Sequence, residues 1–454
     1  MTGTFPSAVN THLFYPPVNM DIGAMLNSFM ADVASNGGGI VQIPYTDNNV
    51  FWTSVQIVVP STVILQGAGK RVTTIRATNF SQGPGGAPNF PVNTPIVRMG
   101  RSTDADIYDC RLENIGIDTY YVTGAAGIYF QSAQEGCGLQ SVGVWNSNFY
   151  GIHMDGTTVN AGGGANTNNG PFFDIEVIQG GGVPFTYGIY LNNTYFQETT
   201  CIDRVTVYGS NPPAWSSSTT YSSPTYQPGY VVSYSGHVFS IPNGGNTPSN
   251  INQTPVVGST TTYWADRGLV TQAGIALNNG HVSLRGIHVE QSLDAIYLSG
   301  GAVAGEIATV NANEGVTQSV IHIASGVNRN GLSIKGIWNP YYSTCPTIKD
   351  DTIGQKFSQQ YLNCYDSGIA SSIGVATASV GPSPYNYVNT TPYNQQIVIV
   401  GALSTLTLTY PGGSAQTIPI ISGWSPAPVI VPPGATLTMT YAATTPTYHV
   451  FPLT

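Results

Sequence analysis

Leu112-Glu-Asn-Ile115-Gly-Ile117 is the first copy of a pattern that returns along the chain. An apolar residue is followed two positions later by a small or polar one, then by two aliphatics separated by a single residue. Further copies are Leu139-Gln-Ser-Val142-Gly-Val144, Phe172-Phe-Asp-Ile175-Glu-Val177, Ile202-Asp-Arg-Val205-Thr-Val207, Leu284-Arg-Gly-Ile287-His-Val289, Ile307-Ala-Thr-Val310-Asn-Ala312 and, more weakly, Ile334-Lys-Gly-Ile337-Trp-Asn339. Their first residues lie 27, 33, 30, 82, 23 and 27 positions apart, so only the interval from Ile202 to Leu284 is out of line.

A second pattern runs out of phase with the first: Gly127-Ile-Tyr-Phe130, Gly151-Ile-His-Met154, Gly188-Ile-Tyr-Leu191, Gly274-Ile-Ala-Leu277, Ala295-Ile-Tyr-Leu298 and Val320-Ile-His-Ile323. Two interleaved ladders at this period mark a solenoid. The alternation inside each copy is that of strands with one buried face. The expected fold is all-β, a parallel β-helix in which each coil buries its apolar face on the next.

The chain of 454 residues has room for two or three domains. With 41% hydrophobic and 11% aromatic residues it has ample material for a core, which excludes disorder. Only 8% of residues are charged, so the surface must be built from Ser, Thr, Asn, Gln, Gly and Tyr. A net charge of −9 excludes nucleic acid as a partner, because that needs a basic footprint. No apolar run reaches the length of about 18 residues that suggests a membrane span. No carboxylate cluster matches a calcium loop, and neither a metal nor a cofactor is expected. Residues 1–20 have neither the basic start nor the apolar run of a secretory signal, which points to release by lysis or to a leader already removed. Five cysteines do not make a disulfide framework. Cys110 and Cys137, each two residues before a first apolar position, should stack on adjacent coils as buried thiols, whereas Cys345 and Cys364 fall beyond the ladder.

Taken in order, residues 1–20 read as an irregular arm. Asp21 is a good N-cap for a helix over Ile22 to Val33, stopped by Ser35-Asn36-Gly37-Gly38-Gly39. Strands follow at Ile40 to Pro44, Val55 to Val59 and Val63 to Leu65, and Gln66-Gly-Ala-Gly-Lys70 turns sharply before Thr74-Ile75. The helix behind Asp21, Gly38-Gly39-Ile40-Val41-Gln42-Ile43-Pro44 and Gly67-Ala68-Gly69 with Thr74-Ile75 resemble the N-terminal cap of the pectate-lyase-like superfamily. That superfamily is right-handed β-helical and includes bacterial carbohydrate-active enzymes and phage tailspikes.

The expected domains are an arm and cap over 1–96, the β-helix over 97–211 and 267–345, an insertion over 212–266, a linker over 346–377 and a β-sandwich over 378–454. Removing the insertion returns the long interval to one ordinary coil. The insertion contains Ala214-Trp215, Tyr226, Gly229-Tyr230, Val232, Tyr234, Gly236, Phe239, Asn246-Thr-Pro248 and Trp264. It resembles the small chitin-binding type of carbohydrate-binding module, with Tyr230 and Phe239 departing from that family's usual Asp and Tyr. In the last unit, strands are expected at Gln396 to Val400, Thr405 to Tyr410 and Thr436 to Tyr441. Pro382-Ser-Pro-Tyr-Asn-Tyr-Val-Asn389, Ile397-Val-Ile-Val-Gly401 and Val431-Pro-Pro-Gly resemble a C-terminal β-sandwich common on phage tail proteins.

Two outward columns bear the candidate chemistry. In the second ladder, the residue between the two buried positions reads Tyr129, His153, Tyr190, Ala276, Tyr297, His322, an aromatic strip at about 4.8 Å per coil. Such faces suit the C–H faces of sugars, although the more ordinary reading of the strip is a subunit interface or plain ring stacking that stabilises the ladder. In the first ladder the column reads Gly116, Gly143, Glu176, Thr206, His288, Asn311, Trp338, with Asp118, Trp145, Ile178, Tyr208 and Glu290 at its edge. The two glycines should leave a depression below Glu176.

Glycoside hydrolysis needs two carboxyls, about 6.5–9.5 Å apart for inversion. Glu176 and Glu290 are the expected pair, with Asp155 a further candidate. Elimination needs instead a base beside a cation, for which Glu176 and His288 are the nearest. Expected carbohydrate contacts are Tyr129, His153, Tyr190, Tyr297, Trp215, Tyr234 and Trp264. The resemblance implies a homotrimeric tailspike-type protein of the virion tail, partnered with other tail proteins, that binds and depolymerises a bacterial surface polysaccharide. Two rivals stay open: a non-enzymatic receptor-binding tail protein, and a secreted bacterial polysaccharide lyase or hydrolase.

Overall fold

The computed structural model describes residues 10–17, 20–46, 49–78, 87–120, 122–157, 170–179, 184–195, 201–212, 214–218, 231–241, 253–261, 263–328, 331–340, 345–351, 361–365, 378–390, 394–420, 428–442 and 445–452. It falls into two compact units, Met1–Tyr365 and Asp366–Thr454.

The first unit is a parallel β-helix, and both sequence ladders are in register as spaced. Leu112, Leu139, Phe172, Ile202, Leu284, Ile307 and Ile334 stand above one another on successive coils. So do Ile128, Ile152, Ile189, Ile275, Ile296 and Ile321 in the second ladder. All of these side chains are buried. Each contributes about 1.5–3 kcal/mol by leaving water, which is how a coil that could not stand alone is held by its neighbours.

The small or polar position of the first pattern has a specific duty. Asn114, Ser141, Asp174, Arg204, Gly286, Thr309 and Gly336 all have φ between 51° and 63°, one per copy. A left-handed residue turns the chain, so each copy is two short strands joined at a corner. The corner lets the apolar residues on both sides of it face the same interior.

At the N-terminal end the helix Gly23–Ser35 buries Leu26, Met30 and Val33 against the first coils. The N-cap is Ile22 rather than Asp21, but Asp21 accepts the Gly23 amide at 3.0 Å, and the same carboxylate accepts the Ser54 amide at 3.2 Å. The arm is not wholly irregular: Thr11–Leu13 pairs in parallel with Gly39–Gln42. The ladder also runs further than its sequence pattern. Ile348–Asp350 pairs with the strand Ser319–Ile323, and Tyr361–Tyr365 pairs with Leu332–Trp338, placing Cys364 opposite Ile337 rather than beyond the coils. The rest of the expected linker, 352–360 and 366–377, lies outside the described residues. Cys110 and Cys137 are buried free thiols with their sulfurs 3.6 Å apart. Burial in apolar surroundings pushes the Cys110 thiol well up.

In the insertion, Val231–Tyr234, His237–Ser240 and Ala265–Leu269 form an antiparallel sheet, so it extends to Leu269 and the ladder resumes at Ala273. Val232, Phe239, Ile241 and Trp264 form its own small core. Tyr226, Gly229, Tyr230 and Asn246 to Pro248 lie outside the described residues. The second unit is a sandwich of two four-stranded antiparallel sheets. Its strands Gln395–Val400, Thr405–Thr409 and Thr436–Thr440 alternate buried and outward residues.

Candidate functional site

The first ladder's outward face gathers the charged chemistry. Asp118, Trp145, Ile178, Tyr208 and Glu290 stack in one column, and Gly116, Gly143, Glu176, Thr206 and His288 in the next. No depression opens below Glu176, because the Trp145 indole lies over both Gly116 and Gly143, where any Cβ would strike its ring.

The turn Gly67–Thr73 builds the rest of the site. The Gly67 amide donates to the Glu113 carbonyl at 2.9 Å and the Gly69 amide to the Asn114 carbonyl at 2.8 Å, which lays the turn over the corner of the next coil. From there Lys70 reaches Asp174 at 2.8 Å, with Ser141 donating to the second carboxylate oxygen at 2.8 Å. Burial pushes the Asp174 carboxyl up, but the hydrogen bonds and charge of Lys70 and Ser141 outweigh it and leave the group below its ordinary value. Arg71 grips Glu176 with both arms of its guanidinium, Nε donating to Oε2 at 3.2 Å and Nη2 to Oε1. Glu176 is buried, whereas the Arg71 side chain is 67% exposed. Two coils below Glu176, Arg76 donates to buried Asp118 at 2.7 Å and stacks over Trp52 and Tyr120, while Asn146 donates to the other Asp118 oxygen at 2.8 Å. Arg71, Thr74, Arg76, Asp118, Trp145, Asn146 and Ile178 line a cleft of about 400 Å³.

Above the cleft, His288 Nε2 lies 3.0 Å from Glu290 Oε1, which also accepts from Asn313 at 3.2 Å. Tyr208 stands between Ile178 and Glu290 and meets the His288 ring edge-on at 5.8 Å. Burial, then the charges of Glu290 and Glu176, raise its phenol pKa. Glu176 and Glu290 therefore share a face, two coils and two residues apart, about 12 Å between backbones at ladder spacing.

Asp155 does not join them. It stands on the second ladder beside Asn192, where it accepts from Tyr129 at 3.3 Å, from the Thr157 amide at 2.9 Å and hydroxyl at 2.6 Å, and from Asn192 at 3.3 Å. On that ladder the aromatic strip is a chain of half-buried rings. His153 packs between Tyr129 at 5.3 Å and Tyr190 at 5.1 Å, with Tyr150 at 4.9 Å, and Tyr150 stacks on Tyr187. Burial pushes His153 down to about 4, so its ring is neutral. Tyr297 meets His322 edge-on, and His322 bridges Asp294 at 2.8 Å and Asp351 at 2.9 Å. In the insertion, Trp215 meets Tyr234 edge-on, whereas Trp264 is fully buried with its indole N–H on the Gln253 carbonyl at 2.6 Å. Trp264 is a core residue and offers no face to a sugar.

Sequence reasoning placed Asp118 and Trp145 only at the edge of this face and did not place Arg71 or Arg76 in it. The available signal was Lys70-Arg71, the one adjacent pair of cations in a chain with 13.

No family model and no curated protein matches the chain. Among solved structures it is similar to a tailspike protein of Escherichia coli bacteriophage HK620 in complex with a pentasaccharide, at 13% identity over 97% of this chain and 91% of that one, with a TM-score of 0.32. It is similar to the tailspike gp49 of Acinetobacter baumannii bacteriophage Fri1, a capsular polysaccharide depolymerase, at 10% identity over 98% and 84%, TM-score 0.22. It is also similar to ORF18 of Geobacillus virus E2, at 12% identity over 73% of this chain, TM-score 0.25, and spans 57% of that protein's length.

Proposed function

We propose that this protein binds a bacterial surface polysaccharide along the first ladder's outward face and cleaves it at Glu176. The observation that carries the proposal is the Arg71–Glu176 contact: a buried carboxylate held as an ion pair by an arginine that lines the cleft, together with Trp145 and a second arginine–carboxylate pair. Paired charges at the base of an open cleft, with aromatic rings beside them, suit a ligand that offers hydroxyls and C–H faces together.

In the hydrolytic reading, Glu176 takes a proton from a water whose oxygen bonds to the anomeric carbon. The glycosidic C–O bond breaks, and the leaving oxygen takes a proton from the Glu290–His288 pair. At about 12 Å between backbones, the two carboxyls reach the 6.5–9.5 Å of inversion only when both side chains lean towards each other over the bound sugar. A second reading is favoured by Arg71 itself. A cation beside the base is what elimination from a uronate needs: Glu176 would take the proton from the carbon next to the carboxylate, a C=C bond forms, the C–O bond to the neighbouring sugar breaks, and its oxygen takes a proton from the Glu290–His288 pair.

The accompanying proposals are that Tyr129, His153, Tyr190 and Tyr297, with Trp215 and Tyr234 of the insertion, add glycan contacts outside the cleft. We assign the chain to a virion tail as a homotrimer, in company with other tail proteins, supported by the sequence resemblance to tailspikes. The test is incubation with a panel of purified bacterial surface polysaccharides, followed by chain length and the absorbance of unsaturated uronates. Shortening without absorbance supports hydrolysis, and shortening with it supports elimination. Unchanged length on every glycan that binds would overturn cleavage.

A further inference from the structure

The column that carries Glu176 and His288 does not end with them. In register it continues through Asn311 to Trp338. Trp338 thus stands two coils above His288 and four above Glu176, about 10 Å and about 19 Å along the ladder.

Two observations at this end of the face point to a ligand. Trp338 closes the strand Leu332–Trp338, whose Leu332, Ile334 and Ile337 are buried, so alternation turns the indole outward, where it is 52% exposed. The strand end is firmly held: the amide of buried Asn339 donates to the Cys345 carbonyl at 2.7 Å and to the Thr347 hydroxyl at 3.2 Å. Between Trp338 and His288, the side-chain oxygen of Asn311 is buried and accepts no hydrogen bond. An unmet buried acceptor is costly, and a donor supplied from outside would relieve it. Nearby Lys335 is already paired with Glu306, so it is not a free charge that would select an ion.

We propose that Trp338 and Asn311 form a distal saccharide subsite on the same outward face, beyond the cleft. The indole takes the C–H face of a sugar ring, and Asn311, a partly exposed residue, turns its amide outward to accept from a hydroxyl of that ring. The chain then continues past His288 and Glu290 to Glu176. The proposal rests on the glycan reading of the cleft and deepens it: the ligand class is an extended polymer that fills both ends, so affinity depends on chain length.

The experiment measures dissociation constants, by calorimetry at low temperature, for long and short size fractions of the surface polysaccharides in the panel. The proteins compared are the full-length wild type, Trp338→Ala and Trp338→Tyr. We expect Trp338→Ala to weaken binding of the long fraction about tenfold, the scale of one lost ring contact. Binding of the short fraction should stay unchanged, and Trp338→Tyr should recover most of the loss. Equal affinities of wild type and Trp338→Ala for long chains would overturn the subsite, as would an equal loss for long and short chains. Cleavage is scored separately: a wild type that binds without shortening any glycan removes the catalytic reading and leaves the subsite standing. A wild type that binds no glycan in the panel overturns both.

Discussion

Thr309 is the costliest of the seven corner residues, because a β-branched side chain in the left-handed region is strained by about 1–2 kcal/mol. Its neighbours in the corner column are Gly286 and Gly336, which have no such cost. Thr309 is exposed, so nothing is lost from the core by removing its side chain. Thr309→Gly should raise stability by about 1 kcal/mol in a denaturant titration, and an unchanged or lower midpoint would contradict the corner assignment. Two histidines offer a second residue-scale test. Burial depresses His153 to about 4, so its contribution to stability is complete above 6.5 and is lost as pH falls towards 4. His322 behaves in the opposite sense. Burial pulls it down, but Asp294 and Asp351 outweigh burial and raise it, so its contribution is complete below 6.5 and is lost as pH rises through its folded value. NMR titration of the ring protons should place the two on opposite sides of 6.5, and coincident midpoints near that value would refute both environments.

At the scale of elements, the ladder was legible because register and periodicity are the same information in a solenoid: what repeats in sequence stacks in space. That is why the outward columns could be written down residue by residue. The Arg71–Glu176 contact was not legible, since it joins residues 105 positions apart through a turn that climbs two coils by side-chain reach. Periodicity says nothing about such a turn. The last coil was missed for a different reason: Ile348–Asp350 and Tyr361–Tyr365 keep the register without keeping the aliphatic pattern. The insertion gives a direct test at this scale. Its two ends meet, with the Thr271 amide donating to the Ser210 carbonyl at 2.9 Å and the Ser210 amide to the Thr271 hydroxyl at 2.9 Å. Replacing residues 212–269 by a short glycine linker should leave the β-helix folded, its melting temperature within a few degrees of wild type, since loop closure across so short a neck costs little. Loss of cooperative melting would show that the insertion is part of the ladder's core.

In the whole molecule, folding and chemistry fall on opposite faces of the same coils. The inward column of each coil supplies the apolar burial that stacks the solenoid, and two outward columns of the first ladder collect Asp118 and Glu290 in one and Glu176, His288 and Trp338 in the other. Glu176 is the proposed cleaving group of that face. The most direct test compares wild type with Glu176→Gln on the polysaccharide that the wild type shortens, following product length by gel filtration and bound glycan by calorimetry. The cleavage rate should fall about a hundredfold or more, the scale of a lost general base. Binding of intact chains should stay within a few-fold, because amide and carboxylate fill the same space beside Arg71. Cleavage at the wild-type rate by Glu176→Gln would contradict that role.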